Sequence, residues 1–210
     1  FAEWLGQRAV NVGVKVVTGS VIAAVNLEDD SDISHLVLDD GRLLEGDLYI
    51  DCTGFEQSPL SNFGKNPFID WSDSLLCNRA VAVGLPARRE VRPFTRSTAL
   101  SSGWAWTIPL AHRTGFGYVY DSQALSEEDA LRELLNLAHT DGYDSSQLTG
   151  SPRHLDLKVG RFENAWRGNV VSVGLAAGFI EPLESTALHL TQVAIELFLE
   201  LFPLQEESKQ

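Results

Sequence analysis

The sequence lacks the features that several classes of metal-binding protein require. Its 210 residues include no Met and only two Cys, Cys52 and Cys77, which lie far apart. There is no Cys-x-x-Cys pair and no Cys/His cluster, and the five histidines show no ligand spacing, so no metal site is expected. Each cysteine is expected to be a small buried apolar residue rather than a ligand. Two unpaired thiols fit a reducing cytoplasm, where we expect the protein to be.

Positive charge and long apolar runs are also scarce. The sequence contains only 16 Lys and Arg but 29 Asp and Glu, which gives a net charge of -13. We see no basic stripe, and a nucleic-acid partner is not expected, because binding to phosphates needs clustered basic residues. No apolar run approaches the roughly 20 residues of a membrane span, so no membrane partner is expected either.

The pattern of apolar residues predicts a mixed α/β (α+β) fold. Helical spacing appears over residues 1–11, 126–139 and 186–202, and β-branched or aromatic runs between them predict strands. We expect two strands within residues 12–28, broken at Thr18-Gly19, and three more within 93–122. One sheet is expected to begin in the first third, an antiparallel sheet to fill the middle, and the first sheet to be rejoined at the end.

The last helix is apolar on both faces, which predicts burial on all sides. The rest of the chain offers little that could cover both faces. A chain that starts at Phe1 and contains no Met also differs from a complete reading frame. Either processing has removed a leader or, as we expect, this sequence is an internal segment of a longer protein.

The stretch "GLAAGFIEPLEST" at residues 174–186 is the first candidate for chemistry. Its small residues would let a ligand approach the backbone. The N–H groups of Ser185, Thr186 and Ala187 are expected to be free at the positive end of a helix, where an anion can bind. The alternative is a packed strand-to-helix turn in which Ser185 or Thr186 is the N-cap.

Glu184 and Glu181 have different expected roles. The Glu184 carboxylate either stabilises the first helical turn through the helix dipole, or faces a cleft as a general base or a partner for a developing cation. Glu181 precedes Pro182, where a structural role in a turn is expected.

The stretch "GWAWTIP" at residues 103–109 is the second candidate. Trp104 and Trp106 lie two residues apart, which places both rings on one face of a strand. Such a pair packs in a core or, alternatively, lines a ligand channel. Asp51, at the end of a predicted strand, is expected to cap a turn.

Together these stretches resemble the flavin-dependent tryptophan halogenases. The resemblance covers essentially the whole chain in order and is carried by these motifs: "DGRLLEGDLYIDCTGF" (40–55), "CNRAVAV" (77–83), "GWAWTIP" (103–109), "GYVY" (117–120) and "GLAAGFIEPLEST" (174–186). The Trp-x-Trp-x-Ile-Pro motif distinguishes this family from related flavin hydroxylases. The family's Gly-x-Gly-x-x-Gly loop and its halogen-carrying lysine are not in this chain.

The resemblance implies a fold and a division of the chain. We expect an incomplete FAD-binding domain of the doubly wound type found in flavin monooxygenases, with an inserted antiparallel β-sheet subdomain. Residues 1–55 are expected to belong to the FAD-binding domain and residues 56–155 to a subdomain on the substrate side. Residues 156–210 are expected to return to the FAD-binding domain and to end in the buried helix.

The resemblance also implies site residues. Glu184 matches the catalytic glutamate, and Ser185 lies between the flavin and the lysine sites. Thr186 and Ala187 match the halide site, where the family often has Gly in place of Ala187. The remaining matches are backbone contacts to FAD at Leu175 and Leu188, a contact near the adenine at Val21, and shielding of the flavin by Trp104 and Trp106.

The implied activity is halogenation of an aromatic ring, tryptophan or another indole, by use of reduced FAD, oxygen and chloride or bromide. The implied partners are a small aromatic substrate, a separate flavin reductase that supplies the reduced FAD, and a second copy in a homodimer, and the implied role is in antibiotic biosynthesis. This chain alone is expected to be inactive. The alternatives are a related flavin-dependent monooxygenase or oxidoreductase, and a non-catalytic flavin-binding domain.

Overall fold

Three α-helices, fourteen strands and two short 3-10 turns make up the regular structure of the described residues. The computed structural model describes residues 2–27, 32–55, 59, 60, 63 and 66–202, without the side chain of Glu184. The helices are α1 (Ala2–Asn11), α2 (Glu127–Thr140) and α3 (Thr186–Leu201). The strands are β1 (Val21–Asn26), β2 (Ile33–Leu38), β3 (Leu43–Glu45), β4 (Tyr49–Asp51), β5 (Phe68–Asp70), β6 (Arg79–Pro86), β7 (Arg96–Leu100), β8 (Gly103–Pro109), β9 (Arg113–Tyr120), β10 (Arg153–Asp156), β11 (Gly160–Phe162), β12 (Trp166–Arg167), β13 (Val170–Ser172) and β14 (Gly178–Phe179).

The chain divides into two compact units. The first contains Phe1–Asn66 and Asn164–Ala176, and the second contains Pro67–Glu163 and Ala177–Gln210. The mixed α/β class is confirmed. The assignment of residues 1–55, 56–155 and 156–210 to an FAD-binding domain and a substrate-side subdomain stays a prediction.

The first unit is built from two small sheets. Strands β1, β2 and β3 form an antiparallel sheet, and a turn at Asp39-Asp40-Gly41 joins β2 to β3, with Gly41 in the left-handed region at φ 83°. In the second sheet β13 runs parallel to β4 and antiparallel to β12. The core of this unit contains Ile33, Leu36, Tyr49, Leu60, Phe63 and Val170.

The second unit is dominated by the predicted antiparallel sheet. Its strand order is β10-β6-β9-β8-β7, and a smaller sheet has the order β14-β11-β5. Helix α2 packs on one face of the larger sheet, where its Ala130, Leu134 and Ala138 join the core. The helix begins as predicted, because the Ser126 hydroxyl accepts a hydrogen bond from the Asp129 N–H at 3.1 Å.

One expectation for the N-terminal part needs correction, and burial of the last helix in a longer protein stays a prediction. The first β-branched run, within residues 12–20, forms no strand, and Val12 and Val16 are exposed. No neighbouring segment among the described residues pairs with this run, and a strand is stable only when its backbone groups are paired. Helix α3 forms as predicted, but none of its described side chains is buried within this chain. No helix in the described part of the chain is long and apolar enough to cross a membrane.

Replacement of Leu134 by Ala should destabilise the second unit strongly. Leu134 is fully buried between α2 and the sheet, and loss of a buried Leu side chain costs about 2–5 kcal/mol of unfolding free energy. Urea denaturation followed by circular dichroism measures this change. Leu76→Ala is the control, because Leu76 is 62% exposed and its loss should change the free energy by no more than about 0.5 kcal/mol. Equal midpoints for the two variants would contradict the assigned core.

Candidate functional site

The two tryptophans of β8 lie on the face of the sheet that does not pack against α2. Their ring centroids are 6.0 Å apart with planes inclined by 57°, and both side chains are half-buried. The alternate residues Ala105 and Thr107 are buried on the opposite face. The interpretation of Trp104 and Trp106 as core residues is therefore wrong.

A glycine on the neighbouring strand makes room for the Trp106 ring. Gly117 of β9 is the cross-strand partner of Trp106, and a Cβ atom placed there would lie 1.9 Å from Cζ2 of the ring. Any larger residue would push the ring away from the sheet. This role of Gly117, the first residue of the "GYVY" motif, is not visible in the sequence, because it depends on the pairing of β8 with β9.

The tryptophans border a cavity of about 280 Å³. Its wall also contains Pro182 and Ser185, from the turn that precedes α3, and it is completed by Thr95, Ser97 and Ile108. The structure therefore brings together three of the predicted site residues, Trp104, Trp106 and Ser185. The alternative in which the paired rings line a ligand site stays a prediction.

The turn before α3 has an unusual backbone. Leu183–Ser185 form one turn of 3-10 helix, and Ser185 then adopts φ 59° and ψ 30°. Among the described residues, Ser185 is the only one other than glycine with a positive φ. A non-glycine residue in this region costs energy, of order 1–3 kcal/mol, and such residues concentrate at functional sites.

The N–H groups of this turn are not all free, which corrects an expectation. The Ser185 N–H donates to the Pro182 carbonyl at 3.2 Å, and the Thr186 N–H donates to the Leu183 carbonyl. Ser185 occupies the N-cap position, but its side chain makes no capping bond. The Thr186 hydroxyl instead donates to the Leu183 carbonyl at 2.8 Å. Two of the three amides proposed to hold an anion are thus already paired.

The other predicted site residues are divided between the two units. Val21 and Leu175 belong to the first unit, in β1 and in the 3-10 turn Gly174–Ala176. Ala187 and Leu188 belong to the second unit, in the first turn of α3, where Leu188 is 72% exposed. The grouping of these residues around one cofactor stays a prediction.

Glu184 lies in the 3-10 turn Leu183–Ser185, directly before Ser185. Its side chain lies outside the described part of the structure. Its backbone position places it within two residues of Pro182, which lines the cavity.

Cysteine chemistry is not indicated at this site. Cys77 is half-buried, and partial burial, together with the negative charges of Asp121 and Glu181, raises the pKa of its thiol. The reactive thiolate is therefore disfavoured. Cys52 is exposed, so the expectation that it is buried is wrong. Within the described residues no cluster of three or more His, Cys, Asp or Glu could hold a metal ion.

Asp51 has the predicted turn-capping role. Its carboxylate is fully buried at the end of β4 and accepts hydrogen bonds from the N–H and the hydroxyl of Thr53, at 3.0 and 2.7 Å. This bonding accounts for an acidic residue at the end of a buried strand.

A match to a protein family identifies the group of proteins to which this chain belongs. The family model described as tryptophan halogenase matches residues 1–210, every residue of the chain. The chain belongs to the tryptophan halogenase family. The resemblance carried by the Trp-x-Trp-x-Ile-Pro motif is therefore confirmed.

Individual tryptophan halogenases are similar to nearly all of this chain. Tryptophan 6-halogenase SttH of Streptomyces toxytricini is 39% identical over 205 residues, which cover 96% of this chain and 38% of that protein. Tryptophan 7-halogenase RebH of Lentzea aerocolonigenes is 36% identical over 206 residues, with the same coverage of 96% and 38%. The chain thus spans about two fifths of the length of these relatives.

A solved structure of a flavin-dependent halogenase has the same fold over this length. BrvH from Brevundimonas sp. BAL3 matches with a TM-score of 0.87 and 38% identity, over 97% of this chain and 40% of its own. The fold expected from the resemblance, a doubly wound-type fold with an inserted antiparallel sheet, is therefore confirmed. The chain corresponds to an incomplete portion of the halogenase fold.

Replacement of Gly117 by Ala should displace the Trp106 ring in this member of the tryptophan halogenase family. The added methyl group would occupy the position of the ring, so the cavity wall and the emission spectrum of Trp106 should change. Tryptophan fluorescence and near-ultraviolet circular dichroism measure this displacement. Gly115→Ala is a matched control on the same strand, because its Cβ would have its nearest neighbour at 3.9 Å. Identical spectra for the two variants would argue against the observed Trp106–Gly117 contact.

Proposed function

We propose that this chain takes part in the flavin-dependent halogenation of an aromatic substrate, tryptophan or another indole. The observation that carries the proposal is the match of every residue to the tryptophan halogenase family. The cavity bordered by Trp104, Trp106 and Ser185 supports it, because it joins the family's tryptophan motif to the turn that contains Glu184.

The size and lining of the cavity favour a planar ring as its occupant. A volume of about 280 Å³ lies just below the range of ~300–1,000 Å³ typical of small-molecule sites. It fits a ring system better than a whole dinucleotide. The two indole rings offer an apolar wall to such a ring and keep water away from it.

FAD, once reduced by a separate flavin reductase, would supply the oxidising chemistry by reaction with oxygen. In the proposal the tryptophans shield the reacting end of the flavin. Backbone groups of Val21, Leu175 and Leu188 hold other parts of it. These three contacts rest on the match to the family motif.

The halide, chloride or bromide, is proposed to bind at Thr186 and Ala187. The sixteen residues of α3 place the positive end of a helix dipole at this point, which favours an anion. The Thr186 N–H already donates to the Leu183 carbonyl, so an ion must share that donor or displace the carbonyl. Ala187 retains the N–H that a glycine would offer in the same place.

Glu184 is proposed as the catalytic residue. When a halogen bonds to a ring carbon, the ring becomes cationic until the proton on that carbon leaves. A carboxylate beside the ring stabilises this cation and can accept the proton. Ser185, which lines the cavity, is proposed to keep Glu184 at its border.

Halogenation by the full-length protein should depend on halide and on Glu184. With FAD, a flavin reductase, NADH, oxygen and tryptophan, we expect a monohalogenated product only when chloride or bromide is present. Loss of a general base lowers kcat by about 100-fold or more, so Glu184→Gln should lower kcat to that extent. Mass spectrometry of the product and initial rates measure both effects.

Glu181→Gln is the matched control for that experiment. Glu181 precedes the turn, and its replacement should leave kcat within about threefold, as expected for a residue with no part in the transition state. A hydroxylated product formed without halide would instead indicate a flavin monooxygenase. Equal losses in the two variants would remove the assigned role of Glu184.

The 210-residue chain alone should bind FAD weakly or not at all and should show no halogenase activity. It contains no Gly-x-Gly-x-x-Gly loop, which places the N–H groups that hold the dinucleotide pyrophosphate in FAD-binding folds. Quenching of flavin fluorescence during titration measures this binding, with the full-length protein as the positive control. Tight, stoichiometric binding by the isolated chain would overturn the prediction.

A further inference from the structure

Arginines are concentrated in one short segment of this acidic chain. Residues 88–96 contain Arg88, Arg89, Arg92 and Arg96, four of the 16 basic residues in a protein of net charge -13. The expectation that the chain has no basic stripe is therefore wrong for this segment. Its concentration of positive charge opposes the charge of the whole chain, so it calls for a local explanation.

Three of these arginines line a second cavity of the same unit, about 250 Å³ in volume. Thr107 of β8 also lines it, and Thr107 points to the face opposite the two tryptophans. This oxyanion cavity, as we name it, is therefore separate from the cavity of the proposed halogenation site. Arg89 is not among its lining residues.

Contacts with the end of α2 hold two of the arginines in place. Arg96 forms an ion pair with the Asp141 carboxylate, and Arg88 donates to the Asp141 carbonyl. The Arg88 guanidinium also lies over the Tyr143 ring, 4.0 Å from its centroid. The Tyr143 hydroxyl is in turn within 3.1 Å of the Thr114 hydroxyl. The cavity wall is thus ordered by several polar contacts.

Two buried polar atoms in this wall have no hydrogen-bond partner. They are the Thr107 hydroxyl oxygen, in a residue only 7% exposed, and Nε of Arg96. The two residues are direct cross-strand partners on β7 and β8, so their side chains are neighbours on one face. Native proteins leave few buried polar atoms unpaired, and each such atom needs an explanation. A ligand with acceptor oxygens would satisfy both.

The charges around the cavity favour an anion over a cation. Three arginines face two carboxylates, of which Asp141 is already paired with Arg96 and Glu90 is exposed. Arg92 has no hydrogen bond or ion pair with any described residue, so its five donors are available at an exposed position. Guanidinium and hydroxyl groups together suit a planar or tetrahedral oxyanion.

We propose that this cavity binds a small oxyanion, the carboxylate or phosphate group of a soluble ligand. The oxyanion accepts hydrogen bonds from Nε of Arg96 and from the Thr107 hydroxyl, and Arg92 pairs with it from the mouth of the cavity. A bound water could also satisfy the two buried donors, but it would give no saturable response to added anion and no dependence on Arg92.

Titration of the full chain with two probes tests the proposal. Inorganic phosphate and succinate are added separately, with sodium chloride adjusted to keep the ionic strength constant, and binding is followed by calorimetry and by the shift in Tm. We expect saturable binding of at least one probe, and the probe that binds identifies phosphate or carboxylate as the recognised group. No saturable binding of either probe would overturn the proposal.

Arg92→Gln and its neighbour Arg89→Gln form a matched pair that separates cavity binding from surface attraction. Each variant removes one positive charge from the same segment. Arg92→Gln should weaken binding about tenfold, because it removes a charge-assisted contact, and Arg89→Gln should leave the dissociation constant unchanged. Equal weakening by the two variants would show attraction to the segment as a whole and would refute the cavity site.

Thr107→Val gives a second test that does not depend on a change in charge. Valine has nearly the shape of threonine and removes a buried hydroxyl that lacks a partner, so the unliganded protein should keep its Tm or gain stability. The increase in Tm caused by the bound probe should be reduced in this variant. An unchanged increase would contradict the assigned contact with Thr107.

Discussion

Successive side chains of β8 point to opposite faces of its sheet, and the rest of the larger unit depends on this alternation. Ala105 and Thr107 face α2, and Trp104 and Trp106 face the turn that precedes α3. The two cavities described above therefore share strands β7 and β8, with no side chain in common. Because the period of a strand is two residues, a shift of register by one residue would exchange the two faces and destroy both.

The hydrophobic core of the larger unit is formed without the two tryptophans. This observation helps to assign their role. The α2 face of the sheet is filled by fully buried residues, Phe116, Tyr118 and Tyr120 among them, together with Leu134 of the helix. An aromatic side chain stabilises a fold most when it is fully buried. Trp104 and Trp106 are only half-buried, and the absence of a side chain at Gly117 leaves room for the Trp106 ring. This arrangement favours a ligand-facing role for the pair over a packing role.

Local signals in the sequence predicted much of this structure, and non-local pairing limited the rest. The Ser126 cap, the turn at Gly41 and the alternation in β8 are each encoded within a few residues, and all three are observed. The run at residues 12–20 has the composition of a strand but forms no strand pairing with the described residues. The contact of Gly117 with Trp106 could not be predicted from the sequence either, because it depends on the register of β8 against β9. The oxyanion cavity likewise depends on how β7, β8 and the end of α2 meet.

The turn at Ser185 belongs to the family motif, and its internal hydrogen bonds limit how an anion could bind there. A helix start with free N–H groups is the simplest anion site, yet here Pro182 and Leu183 carbonyls already accept from the amides of Ser185 and Thr186. Ser185, at the end of this turn, lies in the left-handed region, at a cost in energy. If an ion took over the Thr186 N–H, as in the proposed halide site, the Leu183 carbonyl would still accept a hydrogen bond from the Thr186 hydroxyl. The cost of binding the proposed halide at this N–H is therefore smaller than it would be if the Leu183 carbonyl were left without a donor. A serine, rather than a glycine, at this position keeps that strain in the unliganded turn.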